Sequence, residues 1–532
     1  MKNLPAGMIE TCRRQLFRWK LADSSGERLT GGQLLTKALV LRRLLLREVL
    51  AEDETNVGVL LPPSNGGAVV NSALALARRV SVNLNYSATS QVLNVCIQKA
   101  GIRHVLTTRK VMEKLGLEID CEVFYLEDLK DKVTTADKLF GAAAAYAAPA
   151  GMLSRQLGVD RVDADEPLTI IFTSGSTGEP KGVVLTHRNV GSNVEAIQKT
   201  YQLRPDDVIL GILPFFHSFG YTVTLWGPVG LHLRGCYHFS PLDARQVGKL
   251  AGATGATILL STPTFLRSYL KRCTPEEFAS LEVVIAGAEK LPSALCDAFE
   301  QKFGVRPVEG YGATECSPVV AVNVPDARAA SGGGELREGS VGKPMVGISA
   351  KVVHPESFDP LPTDQEGLLL VTGPNVMQGY LDQPEKTAEV IRDGWYVTGD
   401  IARIDAEGFI HITGRESRFS KIGGEMVPHV RVEEEINKFL VEGLGEEADG
   451  ELIAVVTAVP DTRKGERLIV VHLPTEKTPE QIAEHLGALG LPNLWLPSAD
   501  SYLQVEELPL LGSGKLDLKL LAKIAAERFA PK

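Results

Sequence analysis

From Asn56 to about Val371 the chain repeats one rhythm, a short apolar run followed by a longer stretch with helical spacing. Val57–Leu61, Leu168–Phe172, Thr257–Leu260 and Val283–Ala286 read as strands. Asn71–Arg79 and Pro292–Phe303 carry helical spacing, and Pro263 opens a helix-like run through Leu270, at a position where its missing N–H is not needed. Alternation of this kind folds into a layered α/β architecture. After Gly414 the segments become smaller and more charged: a strand pair, Leu452–Val459 with Leu468–Leu473, and a helix that Thr478 caps with Pro479 at its first position. A boundary is expected at Gly414–Arg418. It separates a large N-terminal α/β domain, 1–413, from a small mobile C-terminal α+β domain, 414–532. The alanine-rich Ala142–Gly151 is a linker or a helix, and no internal repeat is visible.

Composition narrows the function. With 532 residues the chain exceeds any single small module. Its 44% hydrophobic and 23% charged residues exclude global disorder, and its net charge of −10 argues against a nucleic-acid binder. Seven scattered cysteines without a C-x-x-C pair read as reduced thiols, and Met1–Glu10 lacks a signal-peptide layout, so the cytoplasm is the expected compartment. The uncharged run Val208–Leu233 is long enough to span a membrane, but Pro214, Pro228 and several glycines interrupt it, as in loops around a buried pocket. Near the N-terminus Arg13, Arg14, Arg18, Lys20, Arg42, Arg43 and Arg47 stand among Leu16, Phe17, Trp19 and Leu44–Leu46. Two readings are open there: peripheral contact with the inner face of a membrane or with an acidic protein, and the solvated outer faces of two core-packed helices.

Chemistry enters after Leu168–Phe172 with Thr173-Ser174-Gly175-Ser176-Thr177-Gly178-Glu179-Pro180-Lys181-Gly182. Glycines let the main chain approach a ligand, successive N–H groups make an anion-binding concavity, and Lys181 adds a point charge, a set suited to polyphosphate. The Walker A spacing is absent, both here and in Gly512-Ser513-Gly514-Lys515.

This loop resembles the phosphate loop of the adenylate-forming superfamily of acyl-CoA synthetases, luciferases and nonribosomal-peptide adenylation domains. Further motifs of that superfamily follow in order: Leu213–Gly220 (LPFFHSFG), Tyr311–Glu315 (YGATE), Tyr396–Asp400 (YVTGD), Gly414-Arg415 with Lys421–Glu425, and Pro509–Lys515. Within the superfamily the likeness narrows to the acyl-acyl-carrier-protein synthetase half of bacterial 2-acylglycerophosphoethanolamine acyltransferases, through Tyr125–Lys138, Val284–Leu291 and Leu508–Lys515. The acyltransferase half of those proteins has no room here. The H-x-x-x-x-D matches at His238/Asp243 and His354/Asp359 are chance.

The resemblance implies ATP-dependent activation of a fatty acid to acyl-AMP, followed by transfer to a thiol. Lys515 would touch the carboxylate and α-phosphate, Glu315 hold Mg2+, and Thr314 contact the α-phosphate. Thr173–Lys181, with Ser174, Gly175, Ser176, Thr177 and Gly178, would cradle pyrophosphate. Gly287, Ala288, Tyr311 and Gly312 would form the adenine side, Asp400 and Arg415 hold the ribose, and His217 gate the acyl or thiol channel. Cys316 is expected to be a bystander. Arg418 stands at the hinge, where the family usually has Asp or Lys, and Gly423-Gly424 also departs from its pattern.

The main expectation for the acceptor is the phosphopantetheine thiol of acyl carrier protein, with coenzyme A as the alternative. The carrier is acidic, whereas Gly414–Lys532 holds 14 basic and 20 acidic residues, so only a local patch, Arg13–Lys20 or Arg431 with Lys438, would receive it. Phe215, Phe219, Tyr221, Val223, Leu225 and Trp226 are candidates to line an acyl pocket, although core packing gives the same residues. An amino-acid or aryl-acid adenylating enzyme is the less favoured alternative. An amino-acid pocket needs an Asp for the amine, and Phe215–Leu225 offers none.

Overall fold

Ser64 caps the helix Asn65–Leu76, its hydroxyl accepting from the Gly67 N–H, and apart from Gly66 every residue of that helix is buried. A helix enclosed on all sides must lie between layers. This one packs on strand Trp19–Asp23 of one sheet and on strands Asn56–Val59 and Val80–Asn83 of another. The computed structural model describes residues 3–174, 179–329, 336–415, 418–423, 425–441, 452–509 and 516–529.

The first sheet has seven strands, in the order Gly379–Tyr380, Pro180–Thr186, Pro167–Ser174, Val80–Asn83, Asn56–Val59, His104–Thr107 and Glu122–Tyr125. The second has nine and runs from Lys343–Pro344 through Val319–Val322, Val308–Gly312, Val283–Ala286, Ile258–Ser261, Val208–Gly211 and Arg234–Tyr237 to Trp19–Asp23 and Arg28–Thr30. Their central strands are parallel and buried on both faces, as helix-covered sheets require. A five-stranded antiparallel sheet, which includes Gly367–Thr372, Trp395–Ile404 and Ile410–Arg415, completes the large lobe. The fold is the expected α/β class, with a smaller C-terminal lobe built on its own five-stranded sheet.

Strand Val283–Ala286 falls where the sequence puts it, and the other predicted strands shift by one to three residues. The helix expected over Asn71–Arg79 begins earlier, because the Ser64 cap starts it at Asn65. Pro263 is the first residue of its helix, and Thr478 forms a capping box with Gln481 ahead of Pro479. Within Ala142–Gly151, helix Thr135–Tyr146 ends and Ala150–Leu157 begins. Val208–Leu233 folds into a buried strand, a π-helical segment Gly220–Trp226 and a short turn. Among the described residues no helix is long and apolar enough to cross a membrane.

The basic N-terminal stretch is not one surface. Lys20 is fully buried, its ammonium donating to Gln15 Oε1 (2.8 Å) and to the carbonyls of Leu231 (2.8 Å) and Leu233 (3.3 Å), and burial pushes its pKa down to about 8. Leu44 and Leu45 are core residues, and Arg42 donates to the Leu76 carbonyl. Core-packed helices account for these positions.

The chain passes from the large lobe's antiparallel sheet to the small lobe's sheet between Arg415 and Phe419. Among the described residues two ion pairs join the lobes, Lys290–Glu434 at 2.7 Å and Lys421–Glu356 at 2.6 Å.

Candidate active site

Strands Pro167–Ser174 and Pro180–Thr186 form an antiparallel hairpin, with Thr173 opposite Lys181 and Phe172 opposite Gly182. The hydroxyl- and glycine-rich stretch is therefore the tip of a hairpin. Gly175, Ser176, Thr177 and Gly178 lie outside the described residues, as does the side chain of Ser174. Lys181 stands with its ammonium 5.0 Å from the ring centre of Tyr380. Tyr380 sits on a two-residue strand that pairs with Val183 and Val184 of the same hairpin.

The Tyr380 hydroxyl donates to Glu315 Oε1 at 2.8 Å, and burial raises that hydroxyl's pKa, so it stays a donor. Glu315 lies in a short 3₁₀ turn, Thr314–Cys316, directly after strand Val308–Gly312. Gly312 is required there: a Cβ would lie 2.3 Å from the Pro318 carbonyl oxygen. The Met377 N–H holds the Glu315 carbonyl at 2.7 Å. Thr314 Oγ1 accepts from Ser218 Oγ at 3.2 Å, which ties the YGATE turn to the LPFFHSFG segment. Lys181, Tyr380 and Glu315 thus form one chain of contacts from the hairpin to the carboxylate. Cys316 is fully buried, and burial keeps its thiol protonated.

Asp400 and Arg415 face each other across paired strands, with Arg415 Nε 2.9 Å from Asp400 Oδ1, while the Tyr311 hydroxyl donates to Asp400 Oδ2. Burial raises the Asp400 pKa, and Arg415 and Tyr311 act against it. The carboxylate is buried, but the Arg415 side chain is 70% exposed, so the cluster opens to one side. Each carboxylate oxygen has a second lone pair, enough to accept a vicinal diol.

Gly287 follows strand Val283–Ala286; a Cβ there would meet the Phe219 ring at 3.4 Å, and Ala288 takes a left-handed φ of +68°. Phe219 therefore stands beside the glycine of the expected adenine wall. The other apolar candidates, Phe215, Tyr221, Val223, Leu225 and Trp226, are buried in the two main cores, so core packing accounts for them. The His217 ring lies 4.5 Å from that of Phe216 at a tilt of 56°, and Phe216 meets Tyr86 edge-on at 4.7 Å. Gly220, three residues on, has no room for a side chain: its Cβ would lie 2.1 Å from the Pro214 carbonyl oxygen. Arg418 is buried and paired with Glu433, inside the small lobe. Lys515 and Gly424 lie outside the described residues.

These residues suit a nucleotide and a hard cation. Among the described residues no group of three or more His, Cys, Asp and Glu could hold a metal, and Glu315 alone matches a magnesium ion bound mainly through phosphate and water. The AMP-binding enzyme family matches residues 10–381 of the chain. The chain belongs to that family. Over 524 residues it is 28% identical to the long-chain-fatty-acid–CoA ligase of Bacillus subtilis, covering 92% of this chain and 89% of the ligase. It is 31% identical over 365 residues to the feruloyl-CoA synthase of an Amycolatopsis species, covering 67% and 69%. In fold it is similar to the ATP-bound MatB of Rhodopseudomonas palustris, with a TM-score of 0.75 and 24% identity over 98% of each chain. As an AMP-binding enzyme it is an acid–thiol ligase that works through an acyl-adenylate.

Sequence reasoning assigned no role to Tyr380 or Ser218, and placed Phe219 among acyl-pocket candidates rather than beside Gly287. Ser218 and Phe219 lie inside a quoted motif, so the signal was present. Tyr380 lies on a two-residue strand and has no periodicity to reveal it.

Proposed function

We propose that this AMP-binding enzyme joins a fatty acid to coenzyme A using ATP and Mg2+. The observation that carries the reading is the pair of clusters on either side of the YGATE turn, Lys181–Tyr380–Glu315 and Tyr311–Asp400–Arg415. One suits the phosphate end of ATP and the other its ribose. Similarity to a fatty-acid CoA ligase across nearly the whole chain supports the acid and the acceptor. Coenzyme A thus replaces acyl carrier protein as the leading acceptor. The small lobe's excess of acidic residues also speaks against an acidic partner docking there.

In the first half-reaction a fatty-acid carboxylate oxygen attacks the α-phosphorus, the bond to the β-phosphate bridging oxygen breaks, and pyrophosphate leaves with its electron pair. Negative charge gathers on the phosphoryl oxygens. Lys181 and Lys515 offset it as positioned cations, and Thr314 donates toward it. Mg2+ held by Glu315 would neutralise phosphate charge, and Tyr380 fixes that carboxylate. Asp400 and Arg415 orient the ribose, with Gly287, Ala288 and Gly312 leaving space for adenine. In the second half-reaction the coenzyme A thiolate attacks the acyl carbon and AMP leaves, so no protein nucleophile takes part. For Lys515 to make way, the lobe beyond Arg415 turns about Arg418, and His217 gates the channel.

A second reading keeps acyl carrier protein as acceptor, favoured by the likeness of Tyr125–Lys138 and Val284–Leu291 to acyl-carrier-protein synthetases. The test is thioester formation from ATP, Mg2+ and carboxylates from acetate to palmitate, run separately with coenzyme A and with holo-acyl carrier protein. Product with coenzyme A alone is expected. Product with the carrier alone would overturn that choice, and pyrophosphate release without either thioester would overturn both.

A further inference from the structure

Helix Thr135–Tyr146 is built the wrong way round for a helix that only fills a core. Its small residues, Gly141, Ala144 and Ala145, face inward, and a Cβ at Gly141 would lie 2.6 Å from the Val40 side chain of helix Gly31–Glu48. Its large apolar residues face solvent: Leu139 is 67% exposed, and Phe140 and Tyr146 are exposed beside it. Leu139, Ala143 and Tyr146 are spaced as one helical stripe. Phe17, 83% exposed, extends the stripe, its ring 5.9 Å from that of Tyr146.

The surroundings are basic. Segments 10–48 and 131–158 hold twelve Lys and Arg against six acids, in a chain of net charge −10; Lys20 is buried, and Glu27 and Glu48 pair with Lys37 and Arg47, which leaves Arg13, Arg14, Arg18 and Lys138 as the cations nearest the stripe. One of the acids, Asp137, is buried, caps the helix and is held by Arg43 and Arg47. Arg13 donates to the Ala145 carbonyl at 2.8 Å, and Arg43 lies 5.1 Å over the Phe140 ring, so the cations adjoin the apolar stripe. Large apolar side chains rimmed by Arg and Lys match the interfacial zone of a bilayer that carries anionic headgroups. A second copy of the same face would set like charge against like.

We propose that this face, centred on Phe17, Leu139 and Tyr146, seats the protein peripherally on an anionic lipid surface. It stands on different residues from the adenylation site, and vesicle binding is read without substrates, so the two readings fail separately. The test is co-sedimentation of the full chain with phosphatidylcholine vesicles containing phosphatidylglycerol and with pure phosphatidylcholine vesicles. Binding to the anionic vesicles is expected to be at least about tenfold the stronger and to weaken with salt. Phe17→Ser/Leu139→Ser is expected to lower it about tenfold or more, and Arg18→Glu/Lys138→Glu about fivefold per charge. These are exposed side chains, so the melting temperatures stay those of the parent. Equal binding to both vesicles, or binding unchanged in both variants, overturns the proposal. A dimer in sedimentation velocity that Phe17→Ser/Leu139→Ser dissolves would make the face a self-interface, and loss confined to acyl-carrier-protein turnover would make it a carrier dock; either result also overturns it.

Discussion

Two buried carboxylates, Asp400 and Glu433, have the same partner type and opposite surroundings. Burial raises both pKa values, and an arginine opposes the shift in each case. Arg415 leaves 70% of its side chain in solvent, whereas Arg418 leaves 8%, and Glu433 also accepts from the Val456 N–H at 2.8 Å. One pair keeps an open side for a ligand; the other is closed and anchors the small lobe's first strand to helix His429–Val441. The same ion pair is therefore a binding element or a structural one according to the solvent around its arginine.

The largest expected effect breaks the closed pair. Arg418→Met leaves Glu433 buried without its cation and should destabilise the small lobe by about 3–5 kcal/mol, measured by urea unfolding. Arg418→Met/Glu433→Leu should recover most of that loss; no recovery would mean the pair is not the anchor. Next, Asp400→Asn should lower kcat/KM for ATP about a hundredfold, near 2.7 kcal/mol, with little change in unfolding. An equal loss of stability would put Asp400 in the structural class with Glu433.

A pH profile sharpens the contrast further. His429 is buried against Ser420 and near Arg418, and burial first, then Arg418, lowers its pKa to about 3. Its neutral form is the folded one. Its contribution is thus full above the unfolded value of about 6.5 and is lost as pH falls toward 3, at about 1.4 kcal/mol per pH unit. Glu433 has the opposite sign: its raised pKa favours the folded state at low pH and loses that contribution as pH rises through the folded value. His429→Asn should remove only the histidine slope between pH 6.5 and 3, read as the difference between the two unfolding profiles. The smallest effect belongs to the exposed pair Lys421–Glu356. Lys421→Glu should leave the melting temperature unresolved from the parent and change the ratio of the two half-reactions by less than about threefold, and Glu356→Lys added to it should reverse that change.

Most of the large lobe is legible in the sequence because its parallel strands are short apolar runs and its helices start at Ser, Thr or Pro. The Tyr311–Asp400–Arg415 cluster is legible too, through the YGATE, YVTGD and Gly414-Arg415 residues, but the sequence does not say that Arg415 stays exposed while Arg418 is buried. That follows from which sheet each joins. Lys20 reads as surface because lysines usually are; three oxygen acceptors around its ammonium let it be buried. The outward Leu139 and Tyr146 are invisible to periodicity, which finds an apolar stripe but not whether it faces protein or solvent. Here Gly141 and the alanines take the inside.

The passage between the two sheets sets a length limit. Three residue steps lead from Arg415 to Arg418, a reach of at most about 10 Å. Any swing of the small lobe is thus leashed to the strand that ends in Arg415. A ligand that held Arg415 would thus fix the point from which the small lobe's reach is measured, and tie its travel to that ligand's departure.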